Sequence, residues 1–303
     1  MLSKNQLAKM EKWLKANARP LDMAKWDFLF NGGSKAEIVE ELLKYQNTDG
    51  GFGNALEADI LLPDSSATAS AEAIFMAYGY ELDCSEEWFA KLLDYFENSV
   101  QSIPSFWEAV PQKIQEYPHP PWWGYDPDEK FTPNPRAVIA SAMIAHGTVK
   151  QKEIGLKVAV KCLEYLASNE FCGDHESYCL IALIEKLQHI NSPLINDDVI
   201  ASMNHRIAAN VCYDESKWGE YQPQPVNFAD SPSSPWYDCV KSGIENNLKY
   251  LLDNINEDGV WTPNFSWGTD SAASREATKN WTGCITVGRA KIFKNFNMAE
   301  RGQ

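Results

Sequence analysis

Apolar residues recur at helical spacing along most of this chain, and strand-like alternation is scarce. Ala36 to Tyr45 is the clearest case: Ile38 with Leu42, and Val39 with Leu43, make i,i+4 pairs on one face. Ser34 followed by Glu37 supplies a capping box at its start. Met1 to Leu14 reads as another amphipathic helix, with Leu7, Met10, Trp13 and Leu14 on one face. Ser85 before Trp88, Asn134 with Pro135, and Ser234 with Pro235 mark further helix starts. Segments 65–79 and 135–146 are rich in small residues that let helices approach closely, whereas 86–99 and 150–168 are longer and more charged. About eleven helical segments follow from these signals, which predicts an all-α fold.

One helix ends in an unusual way. After Tyr45 comes Gln46-Asn47-Thr48-Asp49-Gly50-Gly51-Phe52-Gly53, where glycine supplies the positive φ of a chain reversal. Leu251 to Trp261 repeats the plan: an apolar helix, a polar amide, then Asp258-Gly259-Val260-Trp261. Leu163 to Gly173 and Val211 to Gly219 read as more worn copies. A helix, Gly/aromatic turn, helix unit recurring at uneven spacing is the mark of a helical repeat.

Gln46-x-x-x-Gly50-x-Phe52 and Gly259-x-Trp261 resemble the Gln/Trp repeat of terpene cyclases and the related repeat of protein prenyltransferase β subunits. Asp49 to Asp59, Pro121-Trp122-Trp123 and Trp261 to Trp267 look closer still to bacterial prenyltransferase-like proteins without an assigned reaction. The resemblance implies an α/α toroid (α/α barrel) of about five to six helical hairpins, with a ligand cavity at its centre. On that reading the small-residue segments form the inner ring and the charged ones the outer ring. Fold does not imply chemistry, so the reaction must be argued from residues.

The 303 residues contain no Gly/Ser-rich linker, which suits a single toroid domain over 1–303. A net charge of −15 argues against nucleic acid and anionic membrane surfaces as partners. No apolar run reaches the ~20 residues of a membrane span. The charged N-terminus does not read as a signal peptide, and seven cysteines without small-domain spacing suggest reduced thiols, hence a cytoplasmic protein.

Two regions break the helical order. Residues 101–134 carry a run of prolines with Trp107, Trp122, Trp123 and Tyr125, and residues 213–235 carry Trp218, Tyr221 and Phe228. Both are expected to be ordered loops over one mouth of the ring.

The candidate acids are Glu57, Asp59 and Asp64, which follow the glycine turn beside Leu56, Ile60, Leu61 and Leu62. Carboxylates in an apolar setting suit general acid/base work, because desolvation separates their pKa values. The alternative is structural: Asp64 caps helix 65–79 while Glu57 and Asp59 bond backbone amides of the loop. Trp122, Trp123, Tyr125, His175, Tyr221, Trp261 and Trp267 are the expected substrate contacts. Aromatic faces there suit either carbocation stabilisation or stacking on sugar rings.

Other motifs fall short of known chemistries. Asp126-Pro127-Asp128-Glu129 departs from the Asp-x-Asp-Asp acid of cyclases at its last position and reads as an acidic turn. Asp197-Asp198 lacks a third acid and suits a helix N-terminus. Cys172-Gly173-Asp174-His175 has no matching second pair for zinc, and Asp174 suits an N-cap. No metal or cofactor is therefore expected, and P-loop, dinucleotide and Gly-x-Ser-x-Gly signatures are missing. Three functions remain open: a prenyltransferase- or cyclase-like protein acting on a hydrophobic or cyclic small molecule, a carbohydrate-active hydrolase or lyase, and a non-catalytic scaffold.

Overall fold

The computed structural model of the protein describes residues 1–101, 106–168 and 173–300. Within them the protein is all-α, with no strand and two isolated bridges, Leu2 with Ala299 and Gln46 with Phe52. In chain order the helices are α1 (Lys4–Asn17), α2 (Pro20–Phe30), α3 (Lys35–Leu42), α4 (Ala67–Gly79), α5 (Glu87–Ser99), α6 (Pro133–His146), α7 (Val149–Ala167), α8 (Asp174–His189), α9 (Asp197–Asn210), α10 (Pro225–Phe228), α11 (Tyr237–Asp253) and α12 (Ala272–Asn295). None of them is long and apolar enough to cross a membrane. The chain divides into two compact units, 1–44 with 211–303, and 45–210.

In the first unit α2 packs against α1, α3 and α12, and α10 packs against α11. Capping boxes start four of its helices: Ser3 with Gln6, Ser34 with Glu37, Gln224 with Asn227, and Ser271 with Ser274. A charge cluster is buried in this unit. Asp22 is fully buried and lies 2.8 Å from Arg19 and 2.6 Å from Lys25. Burial alone would push its carboxyl up, but the two cations hold it well below the usual carboxylate range.

In the second unit α6 is the central helix, packed against α4, α5, α7 and α8. It is buried from Pro135 to Ile144, which its alanines and Ser141 permit. At Gly155 of α7 the approach is close: a Cβ there would lie 3.0 Å from the carbonyl oxygen of Ala140. α5 is one-sided, burying Trp88, Phe89, Leu92, Leu93 and Phe96.

The two loop regions are ordered where described. Trp107 is buried and its indole N–H donates to the Phe96 carbonyl at 2.9 Å. Arg136, fully buried, donates to the carbonyls of Trp107 (2.6 Å) and Asn134 (3.0 Å) and pairs with Glu129 at 2.5 Å. The other Glu129 oxygen accepts from the Ala109 amide at 3.0 Å. The Asp126–Glu129 string is thus a turn, closed by the Asp128 amide donating to Asp126 at 2.9 Å and anchored by Glu129. In the 213–235 loop the buried Trp218 donates to the Cys212 carbonyl at 2.8 Å.

The repeat survives at the level of single hydrogen bonds. In the first copy the Asn47 amide donates to Gly51 O (2.8 Å) and the Gly50 amide to Asn47 O (3.0 Å). In the second the Asn256 amide donates to Val260 O (3.0 Å) and the Gly259 amide to Asn256 O (2.9 Å). Gly50 and Gly259 have φ of +91° and +84°. Phe52 and Trp261 are both buried; the first meets Trp88 edge-on and the second stacks on Phe293.

Several local expectations need correction. Helix α4 is capped by Ser66, which accepts from the Ala69 amide at 3.1 Å, and not by Asp64. Asp64 sits two residues too early and instead pairs with Lys113 at 2.6 Å on the surface. Gly173 takes the cap position of α8, so Asp174 lies in its first turn, favourable to the dipole. Helix α11 starts at Tyr237, not at Pro235, because Ser231–Ser234 and Ser234–Tyr237 close successive turns before it. The worn copy after Val211 has no positive-φ glycine; a 3-10 turn at Glu215–Lys217 delivers Trp218 to the core instead. The worn copy at 169–172, Cys172 included, lies outside the described residues.

Candidate functional site

The segment after the glycine turn folds back on itself. The Asn54 amide donates to Leu62 O at 3.0 Å and the Ser66 amide to Phe52 O at 3.1 Å, closing a compact loop at its base. Asn54 and Ala55 adopt φ of +54° and +62°, a left-handed pair that turns the chain. Leu56, Ala58, Ile60 and Leu62 are buried by this closure, and Glu57 and Asp59 go in with them.

Glu57 is the centre of the arrangement. Its Oε2 accepts from the amide of Asp59 and, at 3.2 Å, from the amide of Ile60, so the structural role foreseen for it is real. It is also 6% exposed. Burial, then the charges of Asp59 and Glu72, push its carboxyl up to about 8, against the pull of the two amides. At neutral pH Glu57 is mostly a neutral carboxylic acid beside two further carboxyl groups.

Glu72 is the residue that sequence reasoning missed. The signal was present, since Glu72 is the lone charged side chain in the small and apolar helix α4. The alanines, serine and threonine around it give that segment the pattern of a close-packed helix, in which one acid carries no periodic signal.

An apolar wall adjoins Glu57. Ile60, whose amide bonds the Glu57 carboxyl, belongs to a buried cluster with Leu62, Val110 and Ile114. Tyr117, Trp123 and Tyr125 pack against the same cluster. The indole N–H of Trp123 is buried, and among the described residues nothing accepts from it. Trp26, Trp88, Trp236 and Trp281 share this state, so it is the place of Trp123 against the Ile60 cluster, and not the unused donor alone, that makes it a candidate for a ligand oxygen. The Tyr125 hydroxyl donates to Glu108 at 3.3 Å.

The remaining candidates sit in other settings. Asp64 is exposed in its pair with Lys113, away from the burial that sets Glu57 and Asp59 apart. Trp122 is 47% exposed, unlike its neighbour Trp123. His175 is exposed on the first turn of α8, with its ring 6.0 Å from Tyr178. Tyr221, Trp261 and Trp267 belong to the first unit. Tyr221 is exposed and meets Phe265 edge-on at 5.6 Å. Trp261 is a core residue whose indole N–H is used by the Leu251 carbonyl at 2.8 Å. Trp267 lines an open cleft of about 220 Å³ together with Ser266, Thr269, Asp270, Ser274, Arg275 and Thr278. That cleft has hydroxyls and one surface ion pair but no buried acid, so its chemistry is weaker than that around Glu57.

Among the described residues no group of three or more His, Cys, Asp or Glu side chains is arranged to hold a metal ion. The six described cysteines are free thiols. The chain matches no protein-family model, no curated protein and no solved structure.

Proposed function

We propose that this protein is an α/α toroid that binds a hydrophobic or cyclic small molecule carrying an oxygen acceptor, with Glu57 as its proton donor. The observation that carries the proposal is the buried Glu57, held protonated to about pH 8 by burial and by Asp59 and Glu72. A general acid works best when its pKa lies near the operating pH. The apolar wall and the unused Trp123 N–H supply the two other parts, a surface for the ligand body and a donor for its oxygen. The toroid rests on the repeat, whose two full copies share their turn geometry. Isoprenoid alcohols and ethers fit this description, in keeping with the cyclase and prenyltransferase resemblance.

A carbohydrate-active reading is favoured by two different features, the exposed indole of Trp122 and the hydroxyl-lined cleft at Trp267. Titration with farnesol and, separately, with a set of neutral oligosaccharides divides the two. Saturable quenching of tryptophan fluorescence by farnesol, weakened at least tenfold in Trp123→Ala, is the expected result. Binding of oligosaccharides alone, lost in Trp122→Ala or Trp267→Ala, would replace the first reading with the second.

A further inference from the structure

Residues 254–271 join α11 to α12 without a helix of their own, and connections beyond ~12–15 residues are uncommon unless they carry a function. The second half of this one is held from several sides. Asn264 donates to the Glu220 carbonyl, and Phe265 meets Tyr221 (5.6 Å) and Trp281 (5.8 Å) edge-on. The Gly268 amide donates to the Ser266 hydroxyl at 3.3 Å, and the Ser274 hydroxyl of α12 donates to the Thr269 carbonyl at 2.8 Å. The segment so fixed and the first turns of α12 enclose the cleft of about 220 Å³ at Trp267. A wall already in place needs little ordering when a ligand arrives.

Size, charge and hydrogen bonding select the ligand. Sites for drug-sized ligands run to roughly 300–1,000 Å³, so about 220 Å³ admits one ring and not a chain. Arg275 pairs with Asp270 at 2.6 Å, which leaves the rim neutral, and a chain at −15 repels anions. Both bonds from Arg275 to Asp270 leave Nη1, to the carbonyl (3.0 Å) and to Oδ1 (2.6 Å). Its Nε and Nη2 have no acceptor among the described residues; solvent-exposed, they exchange water for a ligand hydroxyl at little cost. Beside these donors stands the Asp270 carboxylate, an acceptor. Thr278 gives its proton to the Ser274 carbonyl at 2.8 Å and keeps its oxygen to accept. Adjacent donors and acceptors match neighbouring hydroxyls, each of which does both. Trp267, 9% exposed, adds an immobile indole with an apolar face.

We infer that this cleft binds a single neutral pyranose ring, with Trp267 against its C–H face and Asp270, Arg275 and Thr278 on neighbouring hydroxyls. Binding here does not lead to cleavage. Glycoside hydrolysis uses a pair of carboxyl groups, and among the described residues Asp270 alone brings one to the cleft. The site is separate from the acid chemistry assigned to Glu57 and does not depend on it.

Saturation-transfer NMR of the full chain with the methyl glycosides of glucose, galactose and mannose, and separately with methyl glucuronide, tests this. Saturable transfer to at least one neutral glycoside is expected, with affinity at least fivefold lower in Trp267→Ala and in Arg275→Gln. If Trp267→Ala does not fold, Arg275→Gln still decides, because its side chain is exposed. Lys241→Gln, which removes a surface pair with Asp238 on α11, should bind as the parent does. Nitrophenyl glycosides of the same sugars should remain uncleaved. Farnesol titration reads the Glu57 site and bears on none of these results. No saturable transfer to any of the three glycosides, unchanged affinity in Arg275→Gln, or glucuronide bound more tightly than the neutral rings would each overturn the site. So would release of nitrophenol that Asp270→Asn abolishes.

Discussion

The backbone amide of Phe52 donates to the side-chain hydroxyl of Ser70, 2.8 Å away in helix α4. Its counterpart in the second copy is the Trp261 amide, which donates to the Thr286 hydroxyl of α12 at 3.3 Å. In both places an aromatic residue is thrust into the core just after a chain reversal, where its amide has left the helix and not yet found another. A hydroxyl on the following helix takes that amide, so the turn, the aromatic and the next helix are locked as one unit.

The two glycines of these turns should differ in tolerance. A Cβ at Gly50 would run into the Lys91 carbonyl, a backbone atom, whereas at Gly259 it would meet the flexible side chain of Lys9. Both have positive φ, so each alanine variant should lose about 1 kcal/mol from strain. Gly50→Ala should lose clearly more than Gly259→Ala in chemical denaturation. Equal losses would mean that the backbone at Lys91 yields freely.

Glu57 should make stability depend on pH in the sense opposite to most carboxyls. Its folded pKa is raised above the unfolded value, so the folded state holds a proton that the unfolded state has lost between about pH 4.5 and 8. Stability should therefore fall as pH rises through that window, by a few kcal/mol in order of magnitude. Glu57→Gln keeps an oxygen for the amides of Asp59 and Ile60 but cannot ionise. Its melting temperature should exceed the parent's at pH 9 and approach it at pH 5. Parallel profiles for the two proteins would show that Glu57 ionises normally.

Asp22 is expected to be a structural anion. Asp22→Asn leaves Arg19 and Lys25 buried without their counter-charge, a loss of about 3 to 5 kcal/mol. Because its folded pKa is depressed, this stabilisation is complete above the unfolded value and lost as pH falls through the folded one. The gap between parent and variant should thus be full at pH 7 and narrow in strong acid. A variant as stable as the parent at pH 7 would contradict this.

Arg136 ties the 106–132 loop to α6 through Trp107, Asn134 and Glu129. Arg136→Met should leave Glu129 without its partner and cost several kcal/mol. Limited proteolysis should then cut within the loop faster than in the parent. An unchanged cleavage rate would assign the loop's order to its aromatics alone.

Periodicity and end signals made most helices legible in the sequence, because the capping box at Ser34–Glu37 and the i,i+4 pairs after it are local interactions. The glycine turns were legible for the same reason: a positive φ is a demand on one residue. Position near a turn could not separate Glu57 from Asp64. They are seven residues apart in the same loop, yet one is buried and the other exposed. Closure of the loop by Asn54–Leu62 decides that, and no local pattern encodes it. Trp122 and Trp123 look alike in sequence, and only the apolar cluster around Ile60 and Ile114 chooses the second for partial burial. Glu72 shows the limit most directly. Its helix is marked by local pattern, but that its carboxyl acts on Glu57 depends on α4 meeting the folded loop. The sequence by itself determined the helices and turns, since their hydrogen bonds and φ values are settled over a few residues. Tertiary packing alone decided which acids lost their water, and a raised pKa is a property of that desolvation rather than of any residue type.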